Sequence, residues 1–429
     1  MERAGVALYS KCTHRHWGRM SDKPRALDGI KVLDLSRVLA GPWSTQILAD
    51  FGADVFKVEH PERGDDTRGW GPPFLKLPDG TDDPRESAYY LCANRNKRSA
   101  AIDIADPKGA DLIRRLAAGA NVLVENFKVG SLAKYGLDYA SIAAINPAIV
   151  YCSITGFGQD GPYAARGGYD FLAQGMGGLM SVTGEADGPP LKVGVAMADL
   201  ATGMYATVSI LAALRHAERT GEGQQIDISL LDTQIAMLAN QASSYLVSGV
   251  VPGRMGNRHP TVVPYTTFQA TDGTVIIAIG NDAQFRAFCT EMGVPALGTD
   301  PRFAAASARV VNRDAIEALM RELVSGETRS GLIARLEKAG VPVGPVNTVG
   351  DVFADPFVEA RQTVHRFVRE DGVEIPSVAY PGKLSATPAD YRYHPPKTGE
   401  HSRELLSEWL GLSEIELDAL ETSGTVKQA

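Results

Sequence analysis

The chain predicts an α/β fold, with a large doubly wound, Rossmann-like domain followed by a smaller α/β domain. Three observations carry that reading. Apolar runs of strand length alternate with helical stretches through the first 230 or so residues. Two of those runs, "NVLVENF" and "AIVYCSITGFG", are apolar on both faces, as strands inside a parallel sheet are. At 429 residues the chain also exceeds what one ordinary core accommodates.

The first strand is read in "LDGIKVLDLS" (27–36), where Ile30, Val32, Leu33 and Leu35 make a short apolar run after a turn. A helical stretch from about Pro42 to Phe51 and the strand "ADVFKVEH" complete a βαβ unit. In "DPKGADLIRRLAAGA" Asp106 is placed to cap a helix, Pro107 suits its first position and Gly119 its exit. From Asp199, apolar residues recur at helical spacing (Leu200, Met204, Val208, Leu211, Leu214) until "TGEGQQ" breaks the pattern. "QIDISLLD" is a further strand, and one long helix is expected from Thr233 to about Leu246.

A shift to Gly, Pro and Arg at 249–260 marks a boundary. The expected organisation is an N-terminal extension (1–26) outside the fold, a large domain (27–230), a linker (231–260), a small domain (261–355), and a linker with a C-terminal segment (356–429) that returns to the large domain. The small domain has its own strands ("YTTFQA", "TVIIAIG") and helices ("RDAIEALMRELVSG", "RSGLIARLEKAG"), and the tail ends on the helical "SRELLSEWLGL".

Composition narrows the function. With 44% apolar and 22% charged residues the chain is globular in character. A net charge of −8, from 43 basic against 51 acidic residues, disfavours nucleic acid as a general partner. No unbroken apolar run reaches membrane-spanning length, so no membrane partner is expected. Cys12, Cys92, Cys152 and Cys289 are far apart and form no CxxC pair, which fits a reducing compartment; Cys92 and Cys152 read as small core residues. The only close histidines, His14 and His16, are in the N-terminal tail, and no metal site is expected. The expected location is the cytoplasm, or the mitochondrion if the source is eukaryotic and the extension is a transit segment.

The turn after the first strand, "SRVLAGPWS", has one glycine where a dinucleotide fold carries GxGxxG, and no Walker motif, GxSxG elbow or HExxH occurs. What remains is a set of short basic segments placed after strands: Arg63 and Arg68 in "ERGDDTRGWGPP", Arg95, Lys97 and Arg98 in "NRNKRS", Lys128 and Lys134 in "ENFKVGSLAKYG". Loops at the carboxyl ends of an open sheet converge on ligands, so together these point to an anionic one. Asp199 is the single charge in "VGVAMADLATGMYA". It reads as a helix cap, held ionised by the helix dipole, and as a nucleophile aimed at a cleft; the two readings are compatible.

Six ordered motifs, "LDGIKVLDLSRVLAGP", "GADVFKVEHPERGDDTR", "NRNKRSAAIDI", "VLVENFKVGSLAKYGL", "YCSITGFGQDGPYAARGGYD" and "VAMADLATGMYA", resemble the class III CoA-transferases over roughly residues 27–425. The likeness extends to the branch of that family that handles succinate and hydroxymethylglutarate. The resemblance implies that coenzyme A and its thioesters are substrates, with no permanently bound cofactor, and that Asp199 is the catalytic nucleophile. It also implies an interlocked, ring-shaped homodimer.

Racemases of the same family carry histidine where this chain has Tyr169, so the resemblance favours transfer over proton exchange. It implies CoA contacts at Leu39, Ala40, His60, Ile102, Asp103, Asn126, Phe127, Lys128, Lys134, Arg166, Gly167, Gly168 and Tyr169. Formyl-CoA transferases have glutamine, arginine and lysine where this chain has Leu39, His60 and Ala105. That departure argues against formyl or oxalyl substrates and leaves Arg68, Lys97 and Arg98 as replacement phosphate contacts. For the far carboxylate of a dicarboxylic acid, Arg37, Arg68 and Arg258, with His259 beside it, are the candidates.

Overall fold

The computed structural model describes residues 24–429, so Cys12, His14, His16 and most of the expected N-terminal extension lie outside the described residues. The fold is mixed α/β around a seven-stranded sheet. Its six parallel strands are Lys31–Asp34, Asp54–Glu59, Lys97–Ile102, Val122–Glu125, Val150–Thr155 and Gln224–Ser229. Taken in chain order, they lie side by side as 3-2-1-4-5-6, the doubly wound arrangement. The order reverses at the first strand, where Val32 pairs with Val55 on one side and with Val122 on the other.

Alternation along these strands divides the core in two. Leu33, Phe56, Leu123 and Tyr151 point to one face, against Leu112, Leu116, Leu405 and Leu406. Val32, Val55, Val122 and Val150 point to the other, against Leu48, Ile210 and Leu214. The C-terminal segment closes the sheet's edge: helix Ser402–Leu410 packs on the first core, and Val426 pairs antiparallel with Ile102.

A second, three-stranded antiparallel sheet (Tyr265–Ala270, Gly273–Ala278, Val343–Pro345) has its own core, which includes Phe268, Val275, Phe285, Ile316 and Leu336. Helices Arg313–Ser325 and Arg329–Lys338 occupy the expected segments. Helix Pro107–Ala118 follows the expected design: Asp106 accepts the Lys108 N–H at 2.8 Å, Pro107 stands first and Gly119 ends it.

Four expectations need correction. "NRNKRS" is only half a loop, since Lys97 and Arg98 open the third parallel strand and their charges are matched inside the protein. The expected single helix after Thr233 is two, Leu230–Ala236 and Ala239–Ser248, because Ala239 turns the chain with φ of 46°. Cys92 is exposed beyond helix Ala88–Leu91, its thiol donating to the Tyr89 carbonyl at 3.1 Å, whereas Cys152 is buried.

The fourth correction concerns helix Met197–Thr220. The apolar spacing read from Asp199 is only partly a buried face: Leu214, with Ile210, lies in the second core, but Met204 and Val208 are exposed, Val208 by 64%, and the first half of the helix buries Ala198, Ala201, Thr202, Gly203, Ala206 and Thr207 instead. Small residues let this helix lie close against helix Ala40–Asp50. A Cβ on Gly203 would come within 2.7 Å of the Ala40 carbonyl oxygen.

Candidate active site

Asp199 is the third residue of helix Met197–Thr220 and is half-buried. It does not cap the helix. A different acid serves the helix start: Asp170, at the start of helix Asp170–Met176, accepts the Ala198 N–H at 2.8 Å and the Asp199 N–H at 3.4 Å through Oδ1. Asp170 Oδ2 accepts from the Gln174 amide at 2.7 Å, and Gln174 Oε1 accepts the Val193 N–H at 2.9 Å. Two side chains one turn apart thus clamp both the entry segment and the first turn of the Asp199 helix.

This arrangement changes the electrostatics expected of Asp199. Burial first, and then the neighbouring Asp170 charge, push its carboxyl up to about 7. No cation forms an ion pair with it among the described residues. The group is therefore poised between its two protonation states near neutral pH.

Tyr89 belongs to the same neighbourhood. Its hydroxyl is pushed up to about 12 by burial and by the charges of Asp199, Cys92 and Asp170, so it remains a proton donor at any ordinary pH. The Trp70 ring meets its ring edge-on at 5.2 Å between centroids. Tyr169 precedes Asp170 and is 67% exposed.

Beyond the carboxyl ends of the first three strands lies a cavity of about 370 Å³. It brings together Arg37, His60, Ile102, Asp103, Phe127 and Lys134 from the expected set, with Arg63, Ala105, Ser131 and Tyr135 beside them. Lys134 sits 4.6 Å from the Tyr135 ring centroid, and neither Lys134 nor Arg63 forms an ion pair among the described residues. The lining joins the cations Arg37, Arg63 and Lys134 to the apolar Leu35, Val58, Ile104 and Phe127, with Lys57, Glu59 and Asp65 buried and paired beneath, a mixture that suits a phosphorylated ligand with a long uncharged arm.

The model of the family described as CoA-transferase family III matches residues 27–402. The chain belongs to that family. It is a class III CoA-transferase. A protein of Agrobacterium fabrum named succinate–glutarate CoA-transferase is 50% identical to it over 396 residues, 91% of this chain and 98% of the relative. A Mus musculus protein named succinyl-CoA:glutarate CoA-transferase is 41% identical over 411 residues, 95% of this chain and 92% of the relative. A solved structure of a CAIB/BAIF family protein from Brucella suis, 51% identical, superposes with a TM-score of 0.80 over 90% of this chain and 99% of its own.

Other expected contacts of the transferase are spoken for elsewhere. Lys97 is fully buried and bonds Asp34 at 3.1 Å, with Pro42 O and Asn94 Oδ1 completing its three donors. Arg98 is shared by Asp54, Glu404 and Glu408, so it ties the C-terminal helix to the sheet. Arg68 forms a buried two-point bond to Glu59, at 2.7 Å for each contact, over the face of Tyr90. None of the three reaches the cavity as a free cation.

Arg258 bonds Glu317 at 2.9 Å and Asp314 at 3.3 Å, fastening its loop to helix Arg313–Ser325. The His259 ring accepts the Val262 N–H at 3.0 Å and lies against Tyr265. Of the arginines expected to bind a far carboxylate, Arg37 alone lines the cavity, and its partner Asp66, at 2.9 Å, is an exposed one of the kind that exchanges readily.

Leu39 and Ala40 are buried at the start of helix Ala40–Asp50. Asn126 spends its side chain on the Arg37 backbone, accepting at 2.9 Å and donating at 2.6 Å. Lys128 lines a separate cavity of about 320 Å³ on the other side of Phe127. Arg166 lies over the rings of Phe157 and Tyr163, and Gly168 is packed so closely on Gly156 that a Cβ on it would come within 2.4 Å of the Gly156 Cα.

Sequence reasoning passed over Asp170, Gln174 and Tyr89. Asp170 and Gln174 had a usable signal: a carboxylate and an amide at i, i+4 in "YDFLAQ", the spacing of one helix face. Tyr89 had none, because its relation to Asp199 is purely tertiary.

Proposed function

We propose that this transferase moves CoA from succinyl-CoA, or a similar dicarboxylyl-CoA, to a free dicarboxylic acid such as glutarate, through covalent intermediates on Asp199. The ionised Asp199 oxygen attacks the thioester carbonyl and CoA leaves as thiolate, giving a mixed anhydride. The thiolate attacks the aspartyl carbonyl of that anhydride, releasing the donor acid as carboxylate and leaving an aspartyl-CoA thioester. The acceptor carboxylate attacks this thioester to form a second anhydride, and the freed thiolate then takes the acceptor's acyl carbon and restores the aspartate. Each step exchanges one activated acyl group for another, so the chemistry calls for no metal, no nucleotide hydrolysis and no permanently bound cofactor.

The observation that carries this reading is Asp199 itself: a carboxylate half-buried among small residues, with burial and Asp170 raising its basicity and no cation paired with it among the described residues. A basicity near neutral makes a better nucleophile than an ordinary carboxylate while leaving a useful ionised fraction. The Tyr89 hydroxyl is suited to donate to the oxygen that gains charge during attack. The 370 Å³ cavity, with Arg37, Arg63 and Lys134 in its lining, is the proposed seat of the CoA nucleotide. Arg37 is the proposed partner of the acceptor's far carboxylate.

The working form is proposed to be a homodimer, interlocked as the family resemblance implies. Support comes from the breadth of exposed apolar surface around the site: Tyr169, Phe171 and Leu172, then Met204 and Val208, then Leu246 and Val247, the last two 80% and 89% exposed. The test of the activity is exchange of labelled succinate into succinyl-CoA. It should proceed in the wild-type enzyme without an acceptor acid and stop in Asp199→Asn; undiminished exchange in that variant refutes the assignment.

A further inference from the structure

The turn between the first strand and helix Ala40–Asp50 places a β-branched residue in the left-handed region, since Val38 has φ of 71°. That conformation crowds a branched Cβ against the backbone and needs a surrounding structure that enforces it. Two side chains do so. Asn126 brackets Arg37, accepting its N–H at 2.9 Å and donating to its carbonyl at 2.6 Å. Asp65 Oδ1 accepts the Val38 N–H at 3.3 Å.

Asp65 is fixed in turn by the buried Lys57, 2.9 Å away, whose ammonium also donates to the Ser36 carbonyl at 3.0 Å. The turn is therefore restrained at Ser36, Arg37 and Val38 in succession. On one side it delivers Arg37 to the 370 Å³ cavity. On the other it delivers Ala40, whose carbonyl presses against Gly203, one helical turn along from Asp199.

We propose that Val38 is a positioning residue, whose restrained left-handed backbone sets the spacing between the CoA cavity and Asp199. The proposal rests on the reading of those two features given above. The turn is thus the stretch of backbone that joins the cavity lining at Arg37 to the Gly203 contact on the Asp199 helix, and a small misplacement of a reacting carbonyl is expensive in rate. A glycine in place of Val38 takes the same φ without strain and takes many others as well. An alanine retains the Cβ and thus the restriction.

The test compares Val38→Gly with Val38→Ala, by thermal unfolding and by succinyl-CoA exchange kinetics, beside the wild type. The expected result is a melting temperature for Val38→Gly no lower than for Val38→Ala, together with kcat/KM lower by about tenfold or more and the loss lying mainly in kcat. Val38→Ala should stay within about threefold of wild type. Equal kinetics in the two variants, or a glycine variant that melts several degrees lower, overturns the positioning role. Absence of exchange in the wild type would instead remove the reading of Asp199, and this inference with it.

Discussion

One carboxylate oxygen of Asp170 accepts the backbone N–H of Asp199 and, more closely, that of Ala198, so a second acid occupies the helix start where Asp199 was expected to cap. This sets two properties at once. The helix start that carries Asp199 is held in place, and the Asp199 carboxyl is kept from losing its proton easily, by burial and by the adjacent negative charge.

Asp170→Asn keeps an oxygen that can accept the same N–H groups but removes the charge. The acid limb of the kcat/KM profile, which reports ionisation of Asp199 near pH 7 in the wild type, should move to lower pH in this variant. Burial, the larger cause, remains, so the shift should be partial. A profile measured from pH 5 to 9 that does not move would show that Asp170 leaves the nucleophile's basicity untouched.

Stability should respond in the opposite sense to activity. An unfolded aspartate titrates near 3.9, and this one is raised to about 7 when folded, so the folded state prefers the protonated form. Its contribution is fully present below about pH 4 and is lost as pH rises through about 7. Asp199→Asn should therefore melt higher than wild type at pH 8, with the gap closing by pH 4, while exchange activity is abolished. A gap that is constant across this range would contradict the burial of an unpaired charge.

Arg68 separates a structural role from a substrate one. Glu59, Asp65 and Asp34 are matched inside the sheet by Arg68, Lys57 and Lys97, all of them buried. Arg68→Ala would strand Glu59 without its cation, at a cost of about 3–5 kcal/mol. The expected outcome is a large fall in the denaturant midpoint. If the variant were as stable as wild type and showed only a raised KM for the acceptor acid, Arg68 would be a substrate contact after all.

Much of the fold was legible in the sequence for physical reasons. Interior parallel strands announce themselves as two-faced apolar runs, and the helix after Asp106 carries its start and stop signals in Pro107 and Gly119. The failures have a physical pattern too. Lys97, Arg98 and Arg68 look like free surface cations in a linear reading, because the carboxylates that neutralise them come from strands and helices distant in the chain, such as Asp34 and Glu404. The helical spacing of Leu200, Met204, Val208, Leu211 and Leu214 identifies the helix but not its buried face: the closeness of two helices demands Ala and Gly at the contact and leaves Met204 and Val208 outward, while Leu214 is buried.

The site shows the same division. Asp199 stood out as a lone charge, and Arg37, His60, Phe127 and Lys134 do meet around one cavity. Hairpins Phe74–Lys76 with Asp82–Ser87 and Val364–Val368 with Glu374–Val378 had no clear signal, and Tyr89 follows the first of them. Its place beside Asp199 depends on how that hairpin packs, which no local pattern encodes.

The most direct measurement is mass spectrometry of enzyme mixed with succinyl-CoA and quenched in acid during turnover. A CoA adduct in thioester linkage should appear on the peptide containing Asp199, and the same peptide from Asp199→Asn should carry none. An adduct on a different residue, or full exchange activity with no adduct at Asp199 at any quench time, would contradict covalent catalysis by this aspartate.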